Sequence, residues 1–288
     1  MFEIYKGIKN SLHGLTSALK IAISNADNFN TPGYKYSFAT FSTVFNDVMN
    51  PGSESTNPIS VGTSMTLGST TTDFSQGHLG FGTKMDTAIV GDGFFILSKS
   101  AHTYDESAPH VYSRAGRFLV DFDNKYVTDS FGRKVYGYKI ESSGVTNYNQ
   151  LIPIETEGET DIGFIDGGVL VGNFEARKNA IDNGDPNPPA YKPLYRLAIS
   201  SFKNKQGLIL GEGSIYEATP ASGPSLDPGI SGEGMYGDVL AERLESSNVD
   251  VAKVALDMNL LNRGFSAVQG VVDDVNKILT GIISKLSS

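Results

Sequence analysis

Apolar residues at both ends of the chain follow a heptad pattern, in which steps of three and four residues alternate. The C-terminal stripe runs without interruption through Val251, Val254, Met258, Leu261, Phe265, Val268, Val272, Val275, Leu279, Ile282 and Leu286. A matching N-terminal stripe consists of Met1, Tyr5, Ile8, Leu12, Leu15, Leu19, Ala22, Ala26 and Phe29. Stripes of this length are typical of helices that pack on partner helices, so we predict a coiled-coil helix at each end.

The sequence between the two stripes changes to short apolar segments separated by turn residues, which indicates β-structure. The predicted strands are Thr87–Val90, Phe94–Leu97, His110–Ser113, Arg117–Val120, Tyr126–Thr128, Val135–Ile140, Asp161–Ile165, Val169–Val171, Leu194–Phe202 and Ser214–Glu217. Gly91-Asp92-Gly93 predicts a tight hairpin between the first two of these strands. The fold class is therefore α+β, with a discontinuous N- and C-terminal helical domain enclosing an all-β central domain.

Domain boundaries follow from changes in composition along the chain. We predict a helical domain of residues 1–45 plus 245–288 and a β-rich central domain of residues 85–244. Residues 46–84, which are rich in Ser, Thr and Gly, are predicted to be an extended connecting segment. A Pro- and Asn-rich stretch predicts an insertion near residues 178–193. The first helix is expected to stop at Asn28–Gly33, because a pre-proline residue, a proline and a glycine follow one another there.

Charge and cysteine content exclude several protein classes. The 288-residue chain has a formal net charge of −9 and no cysteine. A nucleic-acid binder needs clustered Lys and Arg, and no such cluster is found, so no nucleic-acid partner is predicted. Without cysteine there is no disulfide, thiolate metal site or cysteine nucleophile. We also predict no cleaved signal peptide and no transmembrane segment, since the chain lacks both patterns.

Candidate metal ligands do not match a known metal-binding pattern. Asp121-Phe122-Asp123 resembles the start of a calcium loop, but Lys125 occupies the next ligand position and Tyr126 the position that needs glycine. The four histidines are His13, His78, His102 and His110. No pair of them has helical ligand spacing, although the last two could approach each other across a hairpin. We predict a plain turn, surface histidines and no metal.

Candidate catalytic and phosphate-binding residues are equally unspecific. Gly207, Gly211 and Gly213 do not reproduce a phosphate-binding glycine pattern. Glu155, Glu157 and Glu159 alternate, which suits acid–base chemistry only if two of them face a cleft. A solvated acidic edge explains them better, because edge charges also block unwanted strand pairing. We predict no enzymatic activity and no cofactor.

Four motifs resemble those of the bacterial flagellar rod and hook protein family. The first is Ser24–Lys35, similar to the motif that closes the family's first helix, and its motif residues are Asn25, Asn28, Thr31, Gly33 and Lys35. The second is Met85–Phe95, which resembles the family's Asp-x-Ala-Ile-x-Gly-x-Gly-Phe-Phe signature and contains Gly91, Gly93, Phe94 and Phe95. Tyr112–Phe118 follows it. Leu244–Val251 is similar to the motif that opens the last helix and contains Ser247, Asn248, Val249 and Asp250.

The motif residues also have local structural explanations. Ser246, Ser247 and Asn248 are expected to cap the last helix, with Asp250 in its first turn. Phe94 and Phe95 are expected to face opposite sides of their strand. The chain departs from the family pattern at several positions, including Asn259 and Asn262 in the last helix, which makes it a divergent member.

The resemblance implies a structural subunit that polymerises into a helical tube and transmits torque. Chain length and the Ser/Thr/Gly-rich segment favour a distal rod subunit, with a hook or proximal rod subunit as alternatives. The resemblance implies these partners: further copies of the chain, neighbouring rod and hook proteins, surrounding ring proteins and the flagellar export apparatus. It implies localisation in the periplasm-spanning rod of the basal body, after export without a cleaved signal peptide. The predicted assembly seam is Leu12, Leu15, Leu19, Val254, Met258, Leu261, Phe265, Val268, Val272, Val275 and Leu279.

Two alternatives of a different class remain. A secreted β-rich hydrolase could use Asp121, Asp123 or the Glu155–Glu159 cluster, but it leaves both heptad stripes unexplained. A non-flagellar coiled-coil adhesin would explain the stripes without forming a tube.

Overall fold

The computed structural model describes residues 2–43, 46–50, 57, 59–62, 64–99, 109–123, 125–141, 144–148 and 150–286. Met1 of the N-terminal stripe and the candidate ligand His102 lie outside the described residues.

Three α-helices and twenty strands make up the described chain. The helices are α1 (Phe2–Asp27), α2 (Phe174–Asp182) and α3 (Val251–Leu286), and a short 3-10 helix covers Lys205–Gly207. The first ten strands are β1 (Ser37–Thr43), β2 (Asn46–Asn50), β3 (Ile59–Gly62), β4 (Met65–Thr72), β5 (Leu79–Phe81), β6 (Thr87–Val90), β7 (Phe94–Ser98), β8 (His110–Ser113), β9 (Leu119–Val120) and β10 (Val127–Thr128). The others are β11 (Tyr136–Lys139), β12 (Ile152–Pro153), β13 (Ile162–Ile165), β14 (Val169–Gly172), β15 (Lys192–Leu197), β16 (Ile199–Ser200), β17 (Ile209–Leu210), β18 (Ile215–Glu217), β19 (Asp238–Ala241) and β20 (Arg243–Glu245).

The chain divides into two compact units. The terminal unit comprises Met1–Phe29, Tyr36–Asp73 and Val249–Ser288, and the central unit comprises Asn30–Lys35 and Phe74–Asn248. The predicted order of a helix, a β-rich middle and a second helix is confirmed.

In the terminal unit, α1 and α3 pack side by side in antiparallel directions. The Tyr5 hydroxyl donates a hydrogen bond to Asn276 Oδ1 at 3.1 Å. Ten residues later on α1, Leu15 packs against Gly264, where an added Cβ would lie 3.1 Å from Leu15 Cδ2. Residue numbers therefore increase along α1 in the direction in which they decrease along α3, so the two helices are antiparallel.

Small residues let α1 approach the β1–β4 pair closely. A Cβ added at Gly14 would lie 3.3 Å from the backbone nitrogen of Leu67 on β4. Ala18 and Ala22, one and two turns further along α1, are 4% and 5% exposed. The most buried face of α1 thus includes Gly14 and Ala18 as well as Leu15 and Ala22 of the predicted apolar stripe.

The segment expected to be a connecting linker contains strands over its described part. In the terminal unit β1 pairs with β4, with a bulge between Thr40 and Phe41, and β2 pairs with β3. Hydroxyl pairs stabilise the first ladder, because Thr40 Oγ1 lies 2.7 Å from Ser69 Oγ. Threonine is a good strand former and Ser/Thr pairs across strands form hydrogen bonds. The Ser/Thr-rich composition therefore belongs to a polar β-ribbon.

The central unit contains two five-stranded antiparallel sheets. Their strand orders are β12-β11-β15-β14-β13 and β16-β7-β8-β18-β17. Phe95 of β7 and Phe164 of β13 belong to one buried cluster, so both sheets contribute to a common core. Phe118 bridges them, with ring centroids 5.1 Å from Phe95 and 5.9 Å from Phe164.

The hairpin predicted at Gly91-Asp92-Gly93 is wrong. Its two strands have the predicted positions, but β6 pairs with β19, and β7 pairs with β8 and β16. Arg114 Nη1 donates to the carbonyl oxygens of Gly91 at 2.9 Å and Gly93 at 2.8 Å. The turn is therefore organised around a guanidinium group, and the chain crosses from one sheet to another.

Helix α2 was not predicted, and its C-terminal half lies in the proposed insertion. Its first residue, Phe174, is only 5% exposed and anchors the helix. Asp161 accepts hydrogen bonds from the backbone nitrogens of Glu175 at 2.9 Å and Ala176 at 3.0 Å. The carboxylate that caps α2 directly precedes β13 and does not belong to the N-cap residue of the helix. The sequence next to α2 therefore lacks the usual signal for the start of a helix.

Candidate assembly site

The predicted seam of α3 is its least exposed face in a single copy. Val254 is 2% exposed, and the seam residues Met258, Leu261, Phe265, Val268, Val272, Val275 and Leu279 are all half-buried. On α1, Leu15 is 3% exposed, while Leu12 and Leu19 are half-buried. The seam faces the interior of the terminal unit without being fully covered there.

Helix α3 has a second apolar stripe, of which the heptad pattern contains only Ile282. Its residues are Leu256, Leu260, Val271, Ile278 and Ile282, which are 59%, 56%, 51%, 59% and 46% exposed. At about 100° per residue they fall on one side of the helix. Leu260, Val271 and Ile282 follow an eleven-residue spacing, which is close to three whole turns. A search for that period would have found the stripe.

Asp250 caps the start of α3. Its Oδ1 atom accepts hydrogen bonds from the backbone nitrogens of Ala252 at 2.8 Å and Lys253 at 3.4 Å. The Asn248 amide, also expected to cap, instead donates to the Ser75 carbonyl oxygen at 3.2 Å within the central unit. The cap is thus formed by the carboxylate, which also suits the positive end of the helix dipole.

Asn25 joins the end of α1 to the start of β1. Its side-chain amide donates to the carbonyl oxygen of Ser37 at 2.6 Å and accepts from the Ser37 nitrogen at 3.0 Å. Asn25 is 2% exposed, so both backbone groups are satisfied in a buried place. The Asn28 amide donates to the Ser24 carbonyl oxygen at 2.8 Å near the end of the helix. These two motif residues therefore fix the exit of the chain from α1.

A tyrosine and a carboxylate connect β1 with α3. The Tyr36 hydroxyl donates to Asp257 Oδ2 at 2.6 Å. Burial and this contact raise the pKa of Tyr36, so the phenol stays a neutral donor. Lys253 Nζ lies 4.2 Å from the centre of the Tyr36 ring, in a cation–π position.

Beside this contact lies an open groove of about 370 Å³, which we call the terminal groove. Its apolar lining comes from α1, β1 and α3 and includes Ile21, Phe38, Phe41, Leu260 and Leu261. Phe38 and Phe41 are 38% and 41% exposed, so aromatic surface faces outwards at the rim. The polar residues of the groove include Asn25, Tyr36 and Asp257, whose hydrogen bonds are given above.

Other motif residues form a buried ionic cluster in the central unit. Lys35 Nζ lies 2.6 Å from Glu245 Oε1, and Arg114 Nε lies 3.1 Å from Glu245 Oε2. The side chains of Lys35 and Glu245 are 1% and 0% exposed. The nitrogen of Gly77 also donates to Glu245 Oε1 at 2.9 Å. Buried charges are stable only when paired and hydrogen-bonded in this way.

The glycines and phenylalanines of the motifs have packing roles. Gly33 has a φ of +69°, and a Cβ there would lie 2.4 Å from the Ala115 nitrogen. A Cβ at Gly93 would lie 2.3 Å from Ile199 Cγ2. Phe94 and Phe95 are 2% and 0% exposed and belong to two different buried clusters, on the two faces of β7.

The remaining motif residues lie beside these elements. The carbonyl oxygen of Thr31 accepts a hydrogen bond from the Tyr34 nitrogen at 3.3 Å. Ser247 and Val249, which precede α3, are half-buried.

The candidate chemical residues take structural positions. Glu157 pairs with Lys139, and Glu159 Oε1 lies 2.6 Å from Lys192 Nζ. Asp121 Oδ1 accepts from the Lys125 nitrogen at 2.8 Å and so closes a turn. Among the described residues, no three His, Cys, Asp or Glu side chains are grouped as metal ligands.

The other candidates also belong to loops and turns. Gly207 is the last residue of the 3-10 helix, and Gly211 and Gly213 lie in the turn between β17 and β18. Gly213 has a φ of +75°, as its turn requires. In the part of the chain that the structure describes, no helix has the length and apolar character needed to cross a bilayer.

Comparison with known proteins identifies rod and hook proteins as relatives. No protein-family model matches the chain. It is 28% identical to the flagellar basal-body rod protein FlgG of Agrobacterium fabrum, over 93% of this chain and 92% of that protein. It is 26% identical to FlgG of Bacillus subtilis, over 98% of both chains. The flagellar hook protein FlgE of Helicobacter pylori is 33% identical over 50% of this chain and 20% of its own length. The chain is therefore similar to flagellar basal-body rod proteins over nearly its whole length and to flagellar hook proteins over about half of it.

Proposed function

We propose that this chain is a distal rod subunit of the bacterial flagellum, which polymerises into a helical tube and transmits torque. Similarity to FlgG proteins over nearly the whole chain supports a rod subunit, since the similarity to hook proteins is partial. A short hook protein and a proximal rod protein are the alternatives within the family.

The observation that best supports polymerisation is the exposed apolar stripe of α3. Leu256, Leu260 and Val271 are each more than half exposed on one side of a single helix. Several exposed apolar side chains on one side of a helix are typical of an interaction site. Together with the half-buried seam, it gives α3 two apolar faces, of which α1 of the same copy covers only part. Packing of terminal helices between copies would cover the remainder, as in a coiled coil.

Partners and location follow from the same proposal. The subunit would contact further copies of itself, neighbouring rod and hook proteins and the surrounding ring proteins. It would pass through the flagellar export apparatus with its N-terminus uncut and reside in the periplasm-spanning rod of the basal body.

A structural role also accounts for the residues that invited an enzymatic interpretation. Glu157 and Glu159 are engaged by Lys139 and Lys192, and Asp121 is engaged by backbone amides. Such residues stabilise turns and strand edges. The hydrolase alternative would require turnover that a single carboxylate substitution abolishes.

The proposal is tested by Leu261→Asp, which places a carboxylate in the seam. Losing leucine burial costs about 1.5–3 kcal/mol, and desolvating an unpaired charge costs several more. We expect loss of tubes in electron micrographs and loss of motility, while the thermal transition of the central unit stays unchanged. Asn262→Asp, at the next and exposed position, adds the same charge outside the seam and should assemble normally.

Two results would contradict the proposal. Normal assembly of Leu261→Asp would show that the seam is not part of the interface between copies. Fibres without a central channel in the unmodified protein would favour the adhesin alternative.

A further inference from the structure

Two apolar surfaces of the terminal unit are separated along α3. One is the terminal groove, to which Phe41 and Leu260 contribute. The other we call the isoleucine face, and it consists of Ile278 and Ile282, which lie one turn apart on α3 and are 59% and 46% exposed. The isoleucine face lies beyond Asn276, the α3 residue that contacts Tyr5. Both surfaces are open in a single copy.

We propose that the isoleucine face of one copy seats in the terminal groove of a second copy. The inference rests on the proposed function, because it identifies the two surfaces through which polymerising copies would join. The surfaces differ from each other, so the contact is head to tail. Heterologous contacts that do not close on themselves generate helical filaments.

The geometry of α3 requires that the occupant be a second chain. Leu260 at the groove and Ile282 on the isoleucine face belong to one continuous helix. At about 1.5 Å per residue, the helical stretch between them is roughly 33 Å long. A continuous helix holds these two points apart, so the isoleucine face cannot reach the groove of its own copy.

The chemistry of the two surfaces is compatible. Residues 278–284 read Ile-Leu-Thr-Gly-Ile-Ile-Ser and contain no charged side chain, so they bring no charge into the groove. The charged residues that line the groove, Lys253 and Asp257, contact the ring and the hydroxyl of Tyr36. The groove volume of about 370 Å³ falls within the range of sites that enclose small apolar groups. Beside the isoleucines, a Cβ added at Gly281 would meet nothing within 4 Å. Glycine is a poor helix former, and close approach of a second copy would explain its presence there.

The absence of cysteine from the chain makes cross-linking a clean test. Full-length Phe41→Cys and Ile282→Cys chains are mixed, allowed to assemble and oxidised mildly. We expect a disulfide-linked dimer that forms only in the mixture. Phe41 is chosen because it lies on β1, so the disulfide distinguishes seating in the groove from packing of one α3 on another. Leu260→Cys serves as a second groove position if Phe41→Cys does not fold.

Two matched controls test the specificity of each partner. Lys277→Cys replaces Ile282→Cys, because the Lys277 side chain is 78% exposed on a different side of α3. Leu256→Cys replaces Phe41→Cys, because Leu256 is 59% exposed on α3 and does not line the groove. Neither control should yield the disulfide.

The outcomes separate this inference from the proposed function. A groove-specific disulfide supports the inference, whether or not tubes are seen, and tubes are scored independently by electron microscopy. Tubes without that disulfide, or with a disulfide at Leu256 instead, overturn the inference and leave the proposed function standing. Absence of both tubes and disulfide overturns both.

Discussion

The central and terminal units achieve stability in different ways. All three buried apolar clusters of the described residues lie in the central unit. In the terminal unit the fully buried apolar residues are Leu15, Ala18, Ala22, Tyr36 and Val254. Its long helix exposes apolar side chains along one side. The central unit thus completes its core within one copy, whereas the terminal unit leaves apolar side chains exposed, which we propose other copies cover.

The polar interactions of the two units also differ, because those of the central unit form a buried cluster and those of the terminal unit join pairs of elements. In the central unit, Lys35, Arg114 and Glu245 form a charge cluster without access to solvent. In the terminal unit, single contacts such as Tyr36 to Asp257 join neighbouring elements. Residues of one motif, such as Asn25 and Lys35, therefore need not serve one purpose. Those in the central unit fix its fold, and Asn25 fixes the geometry from which the helices assemble.

Glu245→Gln should destabilise the central unit more than any other substitution considered below. The substitution removes the charge that pairs with Lys35 at 2.6 Å and Arg114 at 3.1 Å, and leaves two buried cations. Breaking a buried ion pair from one side costs about 3–5 kcal/mol. Denaturant unfolding should show that loss in the transition of the central unit.

Glu242→Gln is the matched control for this prediction. Its carboxylate pairs with Lys178 at 3.0 Å, but the two side chains are 44% and 51% exposed. Exposed pairs contribute about 0–1 kcal/mol. Equal losses from the two substitutions would contradict the view that the buried cluster holds the central unit together.

The next effect concerns Asn25→Ala in the terminal unit. The change leaves the buried nitrogen and carbonyl oxygen of Ser37 without their partners at 3.0 Å and 2.6 Å. Each unsatisfied buried group costs about 1–3 kcal/mol. Hydrogen exchange should therefore accelerate in α1 and β1 but not in the central unit. Asn276→Ala, which removes only the exposed contact with Tyr5, should change exchange little. Slower exchange after Asn25→Ala would contradict this account.

A smaller effect, of opposite sign, is expected at Gly270 of α3. A Cβ there would meet nothing within 4 Å, so Gly270→Ala should stabilise the helix by up to about 1 kcal/mol. At Gly264 the same change would place a Cβ 3.1 Å from Leu15 Cδ2, where the leucine must shift. Gly264→Ala should therefore gain less helicity than Gly270→Ala, as measured by circular dichroism. Equal gains would mean that α1 and α3 do not pack closely in solution.

Local patterns predicted the elements well because they act over a few residues. The first helix ends at Asp27, one residue before the predicted stop, and α3 begins at Val251, where the predicted stripe begins. Strands β6 and β8 have the predicted bounds. Helical periodicity, a pre-proline stop and a capping carboxylate are all local signals, so the sequence contains them.

Strand partners and the buried cluster depend on contacts between distant residues. Nothing near Gly91 indicates that β6 pairs with β19, about 150 residues later along the chain. Glu245 belongs to the motif that opens the last helix, and its partners Lys35 and Arg114 come from two other motifs that approach it only once the chain is folded. The second stripe of α3 is the exception, since its spacing was present in the sequence but follows eleven residues rather than seven.

The smallest predicted effect is a pH-dependent one at the surface of the central unit. Partial burial of Asp161 works to raise its pKa, but hydrogen bonds from the amides of Ala176 and Glu175 and the nearby Lys84 outweigh it and lower the pKa. A carboxyl whose pKa is lowered by folding stabilises the protein above its unfolded pKa, and that stabilisation is lost as the pH falls through the folded pKa. Asp161→Asn keeps the size of the side chain, but it removes the charge and replaces one of the two accepting oxygens with an amide nitrogen that cannot accept. Because the Asp161 side chain is 31% exposed, screening should limit the effect at neutral pH to less than about 1 kcal/mol. The charge-dependent difference between Asp161→Asn and the unmodified chain should decline as the pH falls below 3.8, the ordinary value for this carboxyl, and vanish below its lowered pKa. Urea unfolding at several pH values measures it, and a difference that persists unchanged in acid would mean that the lost hydrogen-bond acceptor, and not the charge, accounts for the effect at the start of α2.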